Sequence, residues 1–417
     1  MTYAELTRRL RPFGVDTTVH FVGAHDPSFA RTALIADGLR AHGIQVHSMA
    51  QPAWGSTAER VRAARRGLLN PALAWRLVRA YARLVGQMRH TQSPPEWLYV
   101  GYPGQLDAIV LRALRPRARI AMDAFVSIDE TLADRAIGRV DSASRRLARA
   151  LDRMAFRCAD VVVTDTAAHT RRFSTEYGLD ARKSVVVPVG ARDPGSRAQV
   201  PPAEPLSADA PSPADGKPTP GPLRVLYFGG FIPLHGIPVI LDAARLLGPE
   251  AGISFDLVGD GQGADDAARS LAIGDLPHVS LRRDWMPESV LIDRFVANAD
   301  VCLGIFAKSP KAMDVVPAKA YLALACGKPL VTADSPAVRE ELLGRATSND
   351  PSLLTCTPGD AASLASALLS LRDDAALRAR MGAAGRRLYL DNFTPDRIVE
   401  PLLDRLSLIG AHPRDRG

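Results

Sequence analysis

The sequence predicts an α/β protein built from two doubly wound parallel sheets. Three observations predict it. Short apolar runs alternate with helical runs through both halves, the pattern of parallel strands joined by right-handed crossovers. A proline-rich stretch, Pro201-Pro-Ala-Glu-Pro and then Pro211 to Pro222, has neither period and divides the halves. The 417 residues also exceed what one hydrophobic core usually fills.

In the first half, Thr17-Thr-Val-His-Phe-Val-Gly23 reads as a buried strand, with Ala24–Arg31 as the loop at its carboxyl end. Thr32–His42 has helical periodicity through Leu34, Ile35, Gly38 and Leu39, and stops at Gly43, where a left-handed cap is usual. Further strands are expected at Ile44–His47, Trp97–Val100, Arg119–Met122, Asp160–Thr164 and Ser184–Val187. Leu73, Leu77, Tyr81, Leu84 and Met88 share one helical face, with Arg76, Arg79 and Arg83 opposite. A second helix carries Arg139, Arg145, Arg146, Arg149 and Arg153. Residues 1–192 form the first domain on this reading, and 193–222 a linker lengthened by an insertion that cannot bury a core.

The second domain spans 223–395. Its strands open at Leu223, Phe255, Val279, Val301 and Leu330. The strand Val301–Phe306 runs into a lysine-bearing loop with Lys308 and Lys311. Val315-Val316-Pro317 then starts a helix that carries Lys319 and ends at Ala325-Cys326-Gly327. Pro317 suits the first helical position, where its missing N–H would be unpaired anyway. The free N–H groups of such a first turn attract anions, so a phosphate-bearing ligand is expected there. Residues 396–417 hold a final helix around Ile398–Ile409.

Charge is uneven. Residues 1–195 hold 29 Lys+Arg and 18 Asp+Glu, a balance of +11, so the remainder carries 7 − 11 = −4. A basic first half suits an anionic partner; the arginine-bearing helices read first as core-packed helices with solvated outer faces and second as a surface that docks on anionic lipid. Nucleic acid is excluded as a partner: no helix-turn-helix, zinc finger or aromatic RNA-binding pattern accompanies the arginines. The four cysteines (Cys158, Cys302, Cys326, Cys356) lie in apolar contexts without metal-ligand spacing. They read as reduced thiols of a cytoplasmic protein that holds no metal. Neither a signal peptide nor a membrane span is apparent.

Ligands of open parallel sheets bind beyond the carboxyl ends of the strands. That rule selects His25-Asp26, Gly101–Gln105 with Tyr102, Asp123–Ser127, and Asp165–His169 in the first half. In the second it selects Gly229–Gly236, Gly259–Gly263, Arg282–Pro287 and Ala307–Lys319. Two facing sets of loops describe a cleft in which a donor could meet an acceptor. Gly259-x-Gly261-x-Gly263 is misspaced for a dinucleotide fingerprint and reads as a tight turn. Asp165 reads first as the N-cap of the following helix and second as a partner of His169, four residues on.

Several of these segments, in order and spacing, resemble the second domain of family 4 glycosyltransferases, retaining enzymes with the two-domain GT-B fold. They are Leu223–Gly236, Phe255–Gly263, Val279–Pro287, Val301–Thr332, Ala333–Ala337 and Thr357–Asp360. The resemblance implies GT-B architecture, with a terminal helix packing back on the first domain. It also implies transfer of a sugar from a nucleotide-sugar donor, a co-substrate and not a cofactor, to a hydroxyl of a sugar, lipid-linked or small-molecule acceptor. His235, Gly230, Val316 and Lys319 would hold the donor phosphates, and Arg282, Trp285 and Pro287 the base. Asp314, Asp123 and His169 would serve catalysis, with His25, Asp26, Tyr102 and Asp165 on the acceptor side.

The chain departs from the family pattern in two places. Gly230 and His235 stand where the family has an Arg and a Lys, and Leu322 stands where it has a ribose-binding Glu. Leaving ribose hydroxyls without that acceptor would cost on the order of 1–3 kcal/mol unless another group substitutes. These departures keep two other readings open: a non-catalytic GT-B subunit that binds or activates a partner transferase, and a sugar-nucleotide epimerase on the same fold.

Overall fold

The computed structural model describes residues 17–53, 71–90, 96–135, 142–196 and 221–410. Most of the expected linker, and Arg139, lie outside the described residues. By contacts the chain divides into Met1–Gly190 with Phe393–Gly417, and Ala191–Asn392.

The first unit holds a six-stranded parallel sheet in the order β2-β1-β3-β4-β5-β6. Its strands are β1 (Thr18–Gly23), β2 (Gln45–Ala50), β3 (Trp97–Val100), β4 (Ile120–Asp123), β5 (Val161–Thr164) and β6 (Ser184–Val186). The four-residue strands β3, β4 and β5 are buried along their whole length, as central strands covered on both faces must be. The helices are α1 (Ala30–Ala41), α2 (Pro71–His90), α3 (Gln105–Leu114), α4 (Ile128–Arg135), α5 (Ser142–Cys158) and α6 (Ala167–Tyr177).

The second unit holds β12-β11-β10-β7-β8-β9, read from the far edge the 3-2-1-4-5-6 order of dinucleotide-type sheets. Its strands are β7 (Leu223–Phe228), β8 (Ile253–Val258), β9 (Val279–Arg282), β10 (Val301–Leu303), β11 (Leu330–Ala333) and β12 (Leu354–Cys356). Its helices are α7 (Ile237–Leu247), α8 (Ala264–Ala272), α9 (Glu288–Leu291), α10 (Pro310–Asp314), α11 (Ala318–Ala325), α12 (Pro336–Glu341), α13 (Ala361–Asp373) and α14 (Ala375–Asn392). Tyr227, Phe231, Phe255 and Phe306 are fully buried in its core.

Three local expectations are corrected. Pro317 is the N-cap of α11 and not its first helical residue: its ψ of 151° is extended, and its carbonyl accepts from Ala320 N. Proline fixes φ alone, and the −73° found here suits either position. The cap of α6 is Thr166, whose Oγ1 accepts from His169 N at 3.0 Å, which frees Asp165 for the His169 ring. Strand β10 stops at Leu303, because the buried segment beyond it turns to the β7 loop, where Phe306 N donates to His235 O at 3.1 Å.

The last helix, α15 (Pro395–Gly410), packs on α1 within the first unit. The contact is close because Gly38 has no side chain: a Cβ there would lie 2.0 Å from Pro395 O and 2.8 Å from Val399 Cγ1. Gly38→Ala is therefore expected to lower stability by about 1–3 kcal/mol through overpacking. Urea denaturation followed by circular dichroism checks it, and an unchanged midpoint would refute the close packing.

Candidate functional site

The strand order reverses between β7 and β10 in the second unit, and between β1 and β3 in the first. Ligands of such sheets bind beside the reversal, beyond the strand ends.

At the second reversal the loops after β7 and β10 are locked together. Gly236 has a left-handed φ of 69°, and a Cβ on it would lie 2.7 Å from Ala307 N. The glycine turn after β8 supports the same loop from behind. A Cβ at Gly259 would meet Gly229 O at 2.0 Å, while Phe231 N donates to Asp260 O and Gly263 N to Phe231 O. These glycines let backbone pack on backbone, which accounts for their spacing without a dinucleotide.

Into this frame α11 delivers Lys319. Its side chain is buried, with Nζ 3.7 Å from the centroid of the Tyr227 ring and 3.3 Å from His235 Nδ1. Gly229, at a φ of 121°, leaves it room: a Cβ there would sit 3.3 Å from Nζ. His235 Nδ1 also lies 2.7 Å from Tyr227 Oη and in short contact with Gly230 O, to which Tyr227 Oη donates at 2.6 Å. Burial pushes Lys319 well below the usual lysine range. Burial and then the Lys319 charge push His235 well below the usual histidine range. Among the described residues no acidic side chain pairs with Lys319, and no side chain caps the first turn of α11.

The other expected residues of this unit are nearby in sequence but differently placed. Val316 is buried and Asp314 half-buried, at the end of α10. Leu322 is buried in α11. Lys308 is exposed and lies along Gly359. Trp285 stands 73% exposed. Pro287 is exposed at the start of α9, and Arg282 ends β9, its guanidinium 5.6 Å from the Phe295 ring and its carbonyl bonded to Gly259 N.

In the first unit the strand ends carry a paired network. Arg31 Nε donates to both oxygens of Asp123 at 3.0 and 3.1 Å, and its Nη1 to Val187 O and Pro188 O. Burial lifts the Asp123 carboxyl and Arg31 pulls it back. His169 lies between Asp165, 2.7 Å from Nδ1, and Glu130, 3.5 Å from Nε2, with Arg172 Nε 2.8 Å from Glu130. Burial alone would lower His169, but Asp165 and Glu130 outweigh it and raise it to about 9. His25 is fully buried at the β1–β3 reversal, with both ring nitrogens unpartnered, and burial takes it down to about 4. A Cβ at Gly101 would touch its ring at 2.8 Å. Tyr102 packs with Phe29 and Phe125, and Asp26 accepts from the backbone and hydroxyl of Ser28.

Sequence reasoning missed Arg31, Glu130 and Tyr227. The available signals were an arginine just past the β1 loop and a tyrosine one residue before the end of β7.

With this geometry in place, comparison with known proteins is informative. Residues 222–374 match the family model of the group 1 glycosyl transferases. No curated protein matches by sequence. The chain is similar in structure to Anabaena Alr3699/HepE, solved with UDP-glucose, at 14% identity and a TM-score of 0.64, over 94% of this chain and 99% of that one. It is also similar to sucrose-phosphate synthase from Thermosynechococcus elongatus, at 15% identity and a TM-score of 0.63, over 95% and 99%. A putative UDP-N-acetylglucosamine 2-epimerase from Listeria monocytogenes shares 12% identity and a TM-score of 0.52, over 96% and 99%. Such distant likeness defines the fold, and that fold is GT-B. The family match falls within the second unit.

The His169 network has a measurable signature. A histidine raised from about 6.5 when unfolded to about 9 contributes stability that is full below about pH 6.5 and lost as pH rises through about 9. The stability gap between wild type and His169→Asn is expected to narrow by up to about 3 kcal/mol across that window. Urea titrations at pH 6 and pH 10 check this, and a constant gap would contradict it.

Proposed function

We propose that the protein transfers a sugar from a nucleotide-sugar donor to a hydroxyl acceptor with retention at the anomeric carbon. One observation carries this reading: a buried lysine without an acidic partner, at the strand reversal of the unit that matches a sugar-transferase family. The UDP and UDP-glucose bound by Alr3699/HepE support a nucleotide diphosphate as the leaving group.

On this reading the β-phosphate gains charge as the sugar–oxygen bond breaks. Lys319, His235, the backbone at Gly230 and Val316, and the open first turn of α11 would stabilise that charge. Asp314 would address the sugar, and Arg282, Trp285 and Pro287 the base. The acceptor would meet the loops that carry His25, Asp26, Tyr102, Asp123, Asp165 and His169, its hydroxyl proton passing to the departing phosphate oxygen. No metal is required by the proposal.

Incubating the purified chain with nucleotide sugars and hydroxyl acceptors tests the proposal, and proton NMR couplings of the product report the anomeric configuration. An inverted product would refute retention. Leu322, an apolar side chain where the resemblance implies a carboxylate, favours a second reading, a subunit active only with a partner transferase. Turnover only after a second protein is added would support that one. Acceptor-independent isomerisation of a donor would support an epimerase instead.

Lys319→Met is expected to weaken diphosphate binding by about 2–4 kcal/mol. Gly230→Arg, which restores a cation where a Cβ meets nothing closer than 3.8 Å, should tighten it by about 1–2 kcal/mol. Calorimetric titration with UDP, GDP, ADP and dTDP checks both.

An anionic membrane surface is proposed as a further partner. On α2, Trp75 is 62% exposed and Val78 57%, beside exposed Arg79 and Arg83, and no acidic residue occurs between Glu59 and Glu96. Among the described residues no helix is long and apolar enough to cross a membrane. Sedimentation with phosphatidylglycerol vesicles is expected to recover more protein than with phosphatidylcholine vesicles, and equal recovery would remove the proposal.

A further inference from the structure

The pair formed by Lys319 and His235 poses a proton-counting problem. Gly230 O already accepts from Tyr227 Oη and is also in contact with His235 Nδ1. A proton on Nδ1 satisfies that carbonyl but leaves the Lys319 ammonium, 3.3 Å away, facing an N–H. Moving the proton to Nε2 gives Lys319 an acceptor but sets a nitrogen lone pair against Gly230 O. Neither arrangement with Lys319 charged is satisfied by the protein alone.

The surroundings do not supply the missing anion. On the β7 side the facing titratable groups are Tyr227 and His235 themselves. Strand β10 offers only Cys302, whose thiol burial pushes up to about 12, and β11 has no titratable side chain. From α14, Arg386 bonds Ala325 O at the opposite end of α11, and Tyr389 Oη donates to Ala191 O. Arg378 and Arg387 bond carbonyls or a hydroxyl elsewhere, and Arg380 pairs with Asp350. Of the loop residues before α11, Lys311 adds positive charge and Asp314 forms no ion pair with Lys319.

We propose that this site takes up its diphosphate together with one proton, so that Lys319, beside a neutral His235, becomes charged only as the anion arrives. The proposal rests on the diphosphate reading above. Phosphate oxygens supply the acceptor that Lys319 lacks and offset the conflict between its ammonium and the His235 N–H. The leaving group would thus meet a cation in a water-poor site, where its stabilising effect on developing charge is greatest. Being neutral when empty, the pair also escapes the cost of an unpaired buried charge.

Proton uptake on binding is directly measurable. Wild-type protein is titrated calorimetrically at pH 8 with UDP, GDP, ADP and dTDP, and the tightest ligand is carried forward in Tris and in HEPES. The terminal phosphate of the ligand is already ionised at that pH, so a proton drawn from buffer goes to the protein. The expected enthalpies differ between the two buffers by about one proton's ionisation, and affinity falls by up to about tenfold per pH unit between pH 7 and pH 9. Lys319→Arg, whose guanidinium stays charged, is expected to bind with a much smaller buffer dependence. The wild-type pH series decides the matter if that variant does not fold. Binding with equal enthalpies in both buffers and a flat pH profile would overturn proton uptake and leave the diphosphate site standing. Failure of all four nucleotides to bind would overturn both.

Discussion

A lysine side chain shut against a tyrosine ring and an imidazole is the constraint on which the second unit turns. Around it the backbone is drawn so tight that glycine is needed at each point of approach. Gly229 makes room for the lysine tip, Gly236 lets the β7 loop touch the β10 loop, and Gly259 lets the β8 turn press on Gly229. A loop held on three sides keeps its N–H groups and the lysine side chain in place before any ligand arrives. That rigidity is what electrostatic stabilisation of a leaving group requires, since reorganisation at the moment of reaction would spend the gain.

The first unit handles charge in the opposite way. Arg31 is bound to Asp123, His169 to Asp165 and Glu130, and Glu130 to Arg172. Each buried charge has a partner, so this network sets the shape of the loops at the ends of β4 and β5 without calling for an outside ion. His25 is the exception, with two unpartnered ring nitrogens at the β1–β3 reversal. On the proposed reading this contrast suits an anion at the second unit and a hydroxyl-bearing acceptor at the first.

The departures from the family pattern also look different once packed. Gly230 contributes its carbonyl to Tyr227 and His235, so the loop has lost a cation but gained an anchor. On the proposed reading the compensating charge toward a bound anion comes from Lys319, on a different element. Leu322 is simply part of the core, and the structure offers no replacement for a ribose acceptor at that position.

The parallel sheets, their strands and the loops at their carboxyl ends were legible in the sequence, because burial on both faces leaves short apolar runs and crossovers leave helical periods between them. So was the helix that carries Lys319, though not the residue that caps it. Which of two adjacent capping residues, Asp165 or Thr166, would start α6 was not legible, since both suit the cap and one residue of register decides. Nor was the pairing of Arg31 with Asp123, 92 positions apart, or of Lys319 with His235, 84 apart. Local sequence determines periodicity and backbone freedom, whereas the partner of a charge depends on which strand ends the sheet order brings together. Only the tertiary structure decided that Asp123 has a buried cation beside it and that Lys319, among the described residues, has no acidic partner.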